Sequence, residues 1–312
     1  MLVMNRIGIV GSGAVGGYYG ARLAQAGMDV VFLLRSDYQQ VKRDGLRVKS
    51  VAGDIRLASV SCARSSEEIG PVDLVIVAWK ATSNSSYQQT IEPLLHEHTL
   101  ILTLQNGLGN VEELARLFGA WRIFAGLCFV CINRVGPGEL SHSASGMVRV
   151  GEYGPEGQGL SQRLEELVAL LTRGGIDAHA VPVLERAQWM KLVWNIPFNG
   201  LAIAQGGVDT GVLLTTPGME ERIRRIMREV QAVAAAMGHK IDDDFLEKQI
   251  DLTRPMRAYR PSSMIDYLEG REVEVDAIWR EPLLRARKLG VKVPEMERLL
   301  GEIASRLKRR GN

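Results

Sequence analysis

The sequence predicts an α/β protein of two domains, with a parallel β-sheet and crossover helices in the N-terminal domain and helices alone in the C-terminal one. A short apolar strand at Ile7–Val10 leads into a glycine-rich turn and then an amphipathic helix that ends near Gly27. The continuous apolar runs Val72–Trp79 and Thr99–Leu104 are typical of parallel strands buried on both faces. After Pro182 the chain shows helical periodicity almost without interruption. These patterns predict domains at 1–182 and 183–312.

The composition is that of an ordinary soluble globular protein. Hydrophobic residues make up 46% of the 312 positions, charged residues 24%, and the formal net charge is +2, so no nucleic-acid partner is expected. The apolar runs are too short to cross a membrane, and the chain enters a strand and a glycine loop at once, unlike a signal peptide. Three cysteines do not make a disulfide framework, which favours a reducing, cytoplasmic setting. We interpret the basic cluster Arg306–Arg310 as a solvated tail.

The glycine-rich turn predicts a Rossmann-type dinucleotide site. Gly11, Gly13 and Gly16 have the G-x-G-x-x-G spacing, which allows a tight turn, close approach of a pyrophosphate, and close packing of the helix on the sheet. The N–H groups and the positive end of the helix then face the diphosphate. The predicted loop contacts are Gly11, Ser12, Gly13, Ala14, Val15 and Gly16. The alternative is a purely structural strand-to-helix turn.

The residue that ends the second strand, Asp29–Leu34, indicates which cofactor binds. An NAD site has an acid there for the ribose 2′-hydroxyl, whereas NADP requires a cation for the 2′-phosphate. Arg35 occupies this position, so the sequence favours NADP(H). Asp37 is interpreted as part of the following turn. The alternative is that Arg35 is an ordinary surface residue.

Two further polar residues follow buried strands. Lys80 comes after the run Val72–Trp79, and Asn106 follows Thr99–Leu104. Ligands of open α/β sheets bind at the carboxyl ends of the strands, so both residues are predicted to lie beside the cofactor. Taken singly, Lys80 is equally compatible with a snorkelling surface lysine, and Asn106 with a turn before Gly107.

Elsewhere in the N-terminal domain, the alternation at 46–62 predicts a hairpin rather than another crossover, and 139–150 predicts a second hairpin. Asn110 with Glu113 resembles a capping box for a helix that ends near Phe118. A helix at 160–173 and a strand at 176–181 complete this domain. The histidines show no metal-ligand spacing on a credible helix, so no metal site is expected.

In the C-terminal domain, helices are predicted near 184–205, 218–238, 243–253, 274–289 and 294–309. In the first of them Lys191, Asn195 and Asn199 recur every four residues, which places three polar side chains on one face of an otherwise apolar helix. If this face is buried, each of these side chains needs a hydrogen-bond partner, and a bound substrate could provide it. The alternative is that this is simply the solvated face. Pro197 is expected to kink the helix.

Beyond this helix, Ser262 and Ser263 read as an ordinary helix N-cap, and Glu274 as a first-turn acid that matches the helix dipole. Their spacing alone does not identify the two serines or Glu274 as site residues.

Together these residues carry a family resemblance, which runs in the same order over nearly the whole chain. The segments concerned are the glycine loop, Arg35, Lys80, Gln105–Gly107, Trp189–Asn195, Ser262–Met264 and Glu274–Asp276. In this combination the chain resembles the ketopantoate reductase (2-dehydropantoate 2-reductase) family. The resemblance implies a Rossmann domain followed by a helical domain similar to that of 6-phosphogluconate dehydrogenase.

The resemblance also implies roles for individual residues. Lys191 would be the general acid, and Asn195, Asn199 and Ser263 would bind substrate. Asn106 would contact both substrate and cofactor, and Glu274 would lie on the cofactor side.

Two departures from the family pattern affect the identity of the substrate more than the reaction. Asp209 occupies a place where an amide is common, and the Ser263–Glu274 interval is one residue shorter. The expected activity is NADPH-dependent reduction of a small 2-oxo acid, ketopantoate first among them. The alternatives are a sister reductase of another 2-oxo acid or imine, and a non-catalytic NADPH sensor. The sequence leaves a homodimer open.

Overall fold

The chain divides into two compact units in the computed structural model, which describes residues 4–154 and 159–310. The first unit comprises the residues up to Gln105 together with Asn110–Leu184. The second comprises Asn106–Gly109 together with the residues from Glu185 onward. The short segment Asn106–Gly109 therefore groups with the helical unit, although it follows a strand of the sheet in sequence.

A single ten-stranded sheet forms the centre of the first unit among the described residues. The strands are β1 (Arg6–Val10), β2 (Asp29–Leu33), β3 (Leu46–Ser50), β4 (Ile55–Leu57), β5 (Ser61–Ala63), β6 (Leu74–Val77), β7 (Leu100–Thr103), β8 (Ile123–Gly136), β9 (Glu139–Glu152) and β10 (Ala178–Ala180).

The order of the strands confirms the predicted fold class of the first unit. It runs β4-β3-β9-β8-β7-β6-β1-β2-β5, with β10 beside β9. All neighbours from β5 through to β8 are parallel. Numbered by their place in the chain, these six strands have the 3-2-1-4-5-6 order of a Rossmann sheet. Strands β6 and β7 are buried at every position, as their continuous apolar sequences predict.

Two local predictions need correction. Strands β3 and β4 do form the predicted antiparallel hairpin, but β5, which overlaps the predicted region, pairs in parallel with β2 as a separate strand. At three residues, β5 is too short to show a pattern of its own. The second predicted hairpin at 139–150 is one strand, β9, whose partner is β8; their tight turn lies at Pro137-Gly138.

Six helices of the first unit flank this sheet among the described residues: α1 (Ala14–Gln25), α2 (Tyr38–Asp44), α3 (Ser66–Ile69), α4 (Tyr87–Ile91), α5 (Asn110–Phe118) and α6 (Gln162–Arg173). The core of this unit is apolar and largely inaccessible to solvent, with Phe32 and Phe124 fully buried on central strands. Burial of such large side chains supplies most of the favourable free energy of folding.

The second unit is built from helices, as the periodicity predicts. They are α7 (Leu184–Ala204), α8 (Thr210–Thr215), α9 (Met219–Ala236), α10 (Asp243–Thr253), α11 (Ser262–Leu268), α12 (Glu281–Lys288) and α13 (Pro294–Arg310), with a π-helical turn at Asp276–Arg280 before α12. Helix α7 continues through Pro197. It packs closely at Gly200, where a Cβ would lie 2.8 Å from the indole nitrogen of Trp279. That nitrogen donates to the carbonyl of Ile196 at 3.0 Å.

The basic C-terminal cluster is not simply a solvated tail, which corrects the sequence interpretation. Arg306 donates from Nε to the carbonyl of Ala204 at 2.8 Å, at the end of α7. Arg310 donates from Nη1 to the carbonyl of Tyr267 at 2.7 Å, near the end of α11. Cations at helix C-termini satisfy unpaired carbonyls and favour the helix dipole. The cluster thus joins the ends of two helices that carry predicted site residues.

Candidate active site

The glycine loop after β1 has the geometry of a dinucleotide-binding turn. Gly11 has a φ of +90°, and a Cβ there would lie 2.1 Å from the backbone nitrogen of Trp79. A Cβ on Gly16 would lie 2.4 Å from the carbonyl oxygen of Gly11. A Cβ on Gly13, in contrast, would meet nothing within 4 Å among the described residues. Two glycines therefore serve close packing, and one leaves the backbone open to a ligand, which fits a pyrophosphate.

The other predicted loop residues, Ser12, Ala14 and Val15, connect this turn to its helix. Ser12 donates from Oγ to the carbonyl of Leu33 at 3.0 Å, which ties the loop to the end of β2. Ala14 begins α1, and Gly13 occupies its N-cap with no side chain to fill the position. The first turn of α1, which is fully described, contains no acidic residue. The positive end of the helix therefore suits an anionic group.

The end of β2 presents an exposed cation beside an acid that is already engaged. Arg35 is exposed, and within residues 4–154 and 159–310 its guanidinium has no hydrogen-bond or ion-pair partner. Asp37 is 8% exposed and accepts from Nε of Arg134 at 2.8 Å. Burial by itself raises the pKa of Asp37, but the hydrogen bonds from Arg134 and Ser36 outweigh it and hold the pKa below its usual value.

Lys80 lies three residues beyond the end of β6 and is half-buried at the start of the 3-10 turn Ala81–Ser86. The corresponding segment after β7 is held by a network that sequence reasoning missed. Gln105 donates from Nε2 to Oδ1 of Asn84 at 2.8 Å and accepts from the hydroxyl of Tyr87. The only signal for Asn84 was a polar stretch after a buried strand. The network holds the side chain of Gln105 at the carboxyl end of β7.

Within the helical unit, Asn106 meets the predicted catalytic lysine. The Nζ of Lys191 donates to the Oδ1 of Asn106 at 2.8 Å. The segment that carries Asn106 is anchored because the N–H of Leu108 donates to the carbonyl of Ala277 at 2.9 Å. Gly107 allows this approach, since its φ is +84° and a Cβ would lie 2.4 Å from that carbonyl oxygen. Two residues 85 positions apart in sequence are thereby brought into direct contact.

The polar face of α7 is not a solvated one. Asn195 is 9% exposed and Asn199 is 2% exposed, while Lys191 is half-buried. Asn199 accepts at Oδ1 from the N–H of Ser263 at 2.9 Å and donates from Nδ2 to the carbonyl of Asn195 at 3.2 Å. A buried amide must be satisfied in this way, because an unmade hydrogen bond in the interior is costly. The amide of Asn199 thus joins the predicted substrate-binding serine to the helix of the lysine.

The remaining predicted residues also lie in the helical unit. Ser263 is 2% exposed and sits in the first turn of α11, whose N-cap is Pro261 rather than a serine. Glu274 is 9% exposed and precedes the π-helical turn. Asp209 is the N-cap of α8, where its Oδ1 accepts from the N–H of Val212 at 2.9 Å. That cap explains the acid at position 209 without any contact to a substrate.

The parts of the chain that the structure describes contain no group of three or more His, Cys, Asp or Glu residues able to hold a metal ion. None of the helices among these same residues combines the length and apolarity needed to cross a membrane.

A Rossmann sheet with an open glycine loop, and a helical unit in which a half-buried lysine contacts an asparagine, define the class of protein. The family model described as "Ketopantoate reductase PanE/ApbA" matches residues 7–155, and its C-terminal counterpart matches residues 183–306. The chain belongs to the ketopantoate reductase family.

Individual relatives agree with this assignment. The chain is 39% identical to a 2-dehydropantoate 2-reductase of a Nostoc species over 95% of its own length and 93% of the relative's. It is 45% identical to the crystal structure of a 2-dehydropantoate 2-reductase from Geobacter metallireducens, with a TM-score of 0.93 and coverage of 96% and 99%. A ternary structure of D-mandelate dehydrogenase with NADH and anilino(oxo)acetate has the same fold at 24% identity, with a TM-score of 0.89 and coverage of 97% and 98%.

Proposed function

We propose that this protein reduces 2-dehydropantoate (ketopantoate) to pantoate with NADPH, a step of pantothenate and coenzyme A biosynthesis. The observation that carries the proposal is the hydrogen bond from Lys191 to Asn106 at 2.8 Å, on a helix face that continues into buried asparagines. It supports a reaction in which a positioned cation meets a developing negative charge. The named activity of the Nostoc and Geobacter relatives supports the choice of substrate.

The cofactor proposed is NADP(H), on three features of the first unit. The glycine loop is open at Gly13, the N-terminal end of α1 is positive, and Arg35 is an exposed cation after β2, at the position where a 2′-phosphate would bind. Lys80 and Glu274 are proposed as further cofactor-binding residues by family resemblance. The NADH of the D-mandelate dehydrogenase structure belongs to a distant relative, so the preference between the two cofactors rests here on Arg35.

When bound, NADPH supplies the hydride for the ketone carbon of the substrate. Lys191 donates a proton to the oxygen that becomes negative as the hydride arrives, and its positive charge stabilises that oxygen beforehand. A lysine ammonium has three N–H donors, so one can hold Asn106 while another faces the substrate oxygen. We assign substrate binding to Asn195, Asn199 and Ser263, of which Asn199 also fixes the backbone of Ser263.

A second candidate is a sister reductase that acts on another small 2-oxo acid or imine. The likeness in fold to a D-mandelate dehydrogenase solved with NADH and anilino(oxo)acetate supports this second candidate. A non-catalytic NADPH sensor would bind cofactor but show no turnover.

The test is a panel of 2-oxo acids assayed for NADPH oxidation at 340 nm by the purified protein, with ketopantoate, pyruvate, 2-oxoisovalerate and phenylglyoxylate as substrates. The expected result is a kcat/KM for ketopantoate at least tenfold above the others. Faster turnover of another acid selects the sister reductase. Cofactor binding with no turnover on any compound selects the sensor.

A further inference from the structure

Asp37 lies two residues beyond Arg35 and is one of the few buried carboxylates of the first unit. It stands at the N-cap of α2 in the αR conformation. Among the described residues its carboxylate accepts from the β8–β9 hairpin and from Ser36, and not from the N–H groups of α2. The local role expected of an N-cap aspartate therefore does not account for this acid.

Both carboxylate oxygens of Asp37 are fully used. Oδ2 accepts from Nε of Arg134 at 2.8 Å and from the N–H of Gly138 at 3.3 Å. Oδ1 accepts from the second guanidinium nitrogen of Arg134 and from Oγ of Ser36 at 2.9 Å. A bidentate arginine–carboxylate pair is strong and directional, and here one partner has a side chain only 11% exposed. The negative charge of Asp37 is thus compensated, and its acceptor sites are occupied.

This arrangement bears on cofactor choice because an acid just after the second strand is the group that binds the ribose 2′-hydroxyl in NAD proteins. An unpaired Asp37 would offer that contact and would repel a 2′-phosphate. Paired with Arg134, it does neither.

The neighbouring strand end is also cationic. Strand β5 pairs with β2 so that Ala63 lies opposite Leu33, which puts the exposed Arg64 beside the chain that leads to Arg35. The guanidinium of Arg64 stacks over the ring of Tyr38 at 4.8 Å. Because Arg134 compensates the charge of Asp37, the exposed Arg35 and Arg64 supply the positive charge at this edge of the sheet.

We propose that Arg134, on the β8–β9 hairpin, is a cofactor-specificity residue, which keeps Asp37 away from the ribose site so that the edge accepts a 2′-phosphate. It acts as a positioning residue through Asp37. The inference rests on the NADPH preference proposed above.

The test measures equilibrium binding of NADPH and NADH by cofactor fluorescence, together with the melting temperature of the cofactor-free protein. The variants are Arg134→Ala, Asp37→Asn and the double substitution. Arg134→Ala should weaken the binding of NADPH about tenfold, because it leaves one uncompensated negative charge close to the proposed 2′-phosphate site. The affinity for NADH should stay the same or rise, because an unpaired Asp37 can accept from the ribose 2′-hydroxyl. The double variant should recover NADPH affinity to within about twofold of wild type, since no charge remains unpaired.

Arg47→Ala is the matched control, because Arg47 and Glu139 also form an arginine–carboxylate ion pair, here an exposed one between strands β3 and β9. It should leave the affinities for both cofactors unchanged. If Arg134→Ala is insoluble, Arg134→Gln removes the charge while it keeps hydrogen bonding, and the same comparison applies.

If the double variant binds NADPH as weakly as Arg134→Ala does, Arg134 serves only to stabilise the β8–β9 hairpin. That result overturns the inference. Unchanged affinity in Arg134→Ala overturns it as well. The proposed cofactor preference fails separately, and visibly, if the wild-type protein binds NADH as tightly as NADPH.

Discussion

Replacement of Lys191 by alanine is the most direct test of the chemistry. The substitution removes the amine that donates to Asn106 at 2.8 Å and leaves the asparagine without this donor. We expect kcat to fall by roughly 10²–10⁴-fold, the usual contribution of a general acid in a protein site. The loss combines the missing proton with the missing positive charge beside the forming alkoxide.

The fold should survive this change. Lys191 is half-buried and not part of the apolar core, so its removal costs at most the roughly 1.5–3 kcal/mol of a charge-assisted hydrogen bond. NADPH affinity should change far less than kcat, because the glycine loop and Arg35, which are the main proposed cofactor contacts, belong to the first unit and Lys191 to the second.

The assay follows NADPH oxidation at 340 nm with saturating ketopantoate, and a fluorescence titration gives the cofactor affinity of the same preparation. Lys191→Arg is the matched control, since it keeps a cation but holds its proton too tightly to donate it. It should recover little of the rate. Turnover of Lys191→Ala near the wild-type rate would refute the assignment, and Lys80 would become the next candidate for the acid.

Three further outcomes follow from the described contacts. Arg35→Ala should weaken NADPH by about 1.5–3 kcal/mol in a binding titration and NADH far less; equal losses would show that Arg35 does not meet the 2′-phosphate. Asn199→Ala should raise the KM for substrate and lower the free energy of unfolding by roughly 1–3 kcal/mol, because the buried N–H of Ser263 loses its acceptor. Asn199→Asp keeps the acceptor for Ser263 but loses the donor to the carbonyl of Asn195 and buries a carboxylate, so it should recover little of this stability. Unchanged stability of Asn199→Ala would count against the contact with Ser263. Burial lowers the pKa of His142 below its ordinary value, so its neutral form stabilises the fold above about pH 6.5 and this contribution is lost as the pH falls below that value. In His142→Gln, the free energy of unfolding measured with denaturant should depend less on pH between pH 7 and 5 than in the wild type. An unchanged pH dependence would contradict this role of His142.

Most of the fold was accessible from local pattern. The spacing of Gly11, Gly13 and Gly16 follows from the tight turn, the open backbone and the close helix packing of a dinucleotide-binding loop. The continuous apolar sequences of β6 and β7 follow from burial on both faces of a parallel sheet. The helical periodicity after Pro182 is local in the same sense, since residues three and four apart share a face. Strand β5 was not predicted, because three residues are too few to show an alternation of apolar and polar side chains.

The candidate site was accessible only in part. The four-residue recurrence of Lys191, Asn195 and Asn199 is written in the sequence, but whether that face is wet or buried depends on what packs against it. The role of Arg306 was misread for the same reason, since a basic C-terminal cluster looks solvated until the end of another helix lies beside it.

The sequence by itself thus determined the central parallel strands, the long helices, the glycine loop, the cation after β2 and the polar face of α7. Only the tertiary structure decided that Lys191 meets Asn106, that Asn199 holds Ser263, and that Arg134 engages Asp37. These pairs are 85, 64 and 97 positions apart. Hydrogen bonds and ion pairs act over a few ångströms of space. Partners that are far apart along the chain therefore leave no local sequence pattern from which their contact could be predicted.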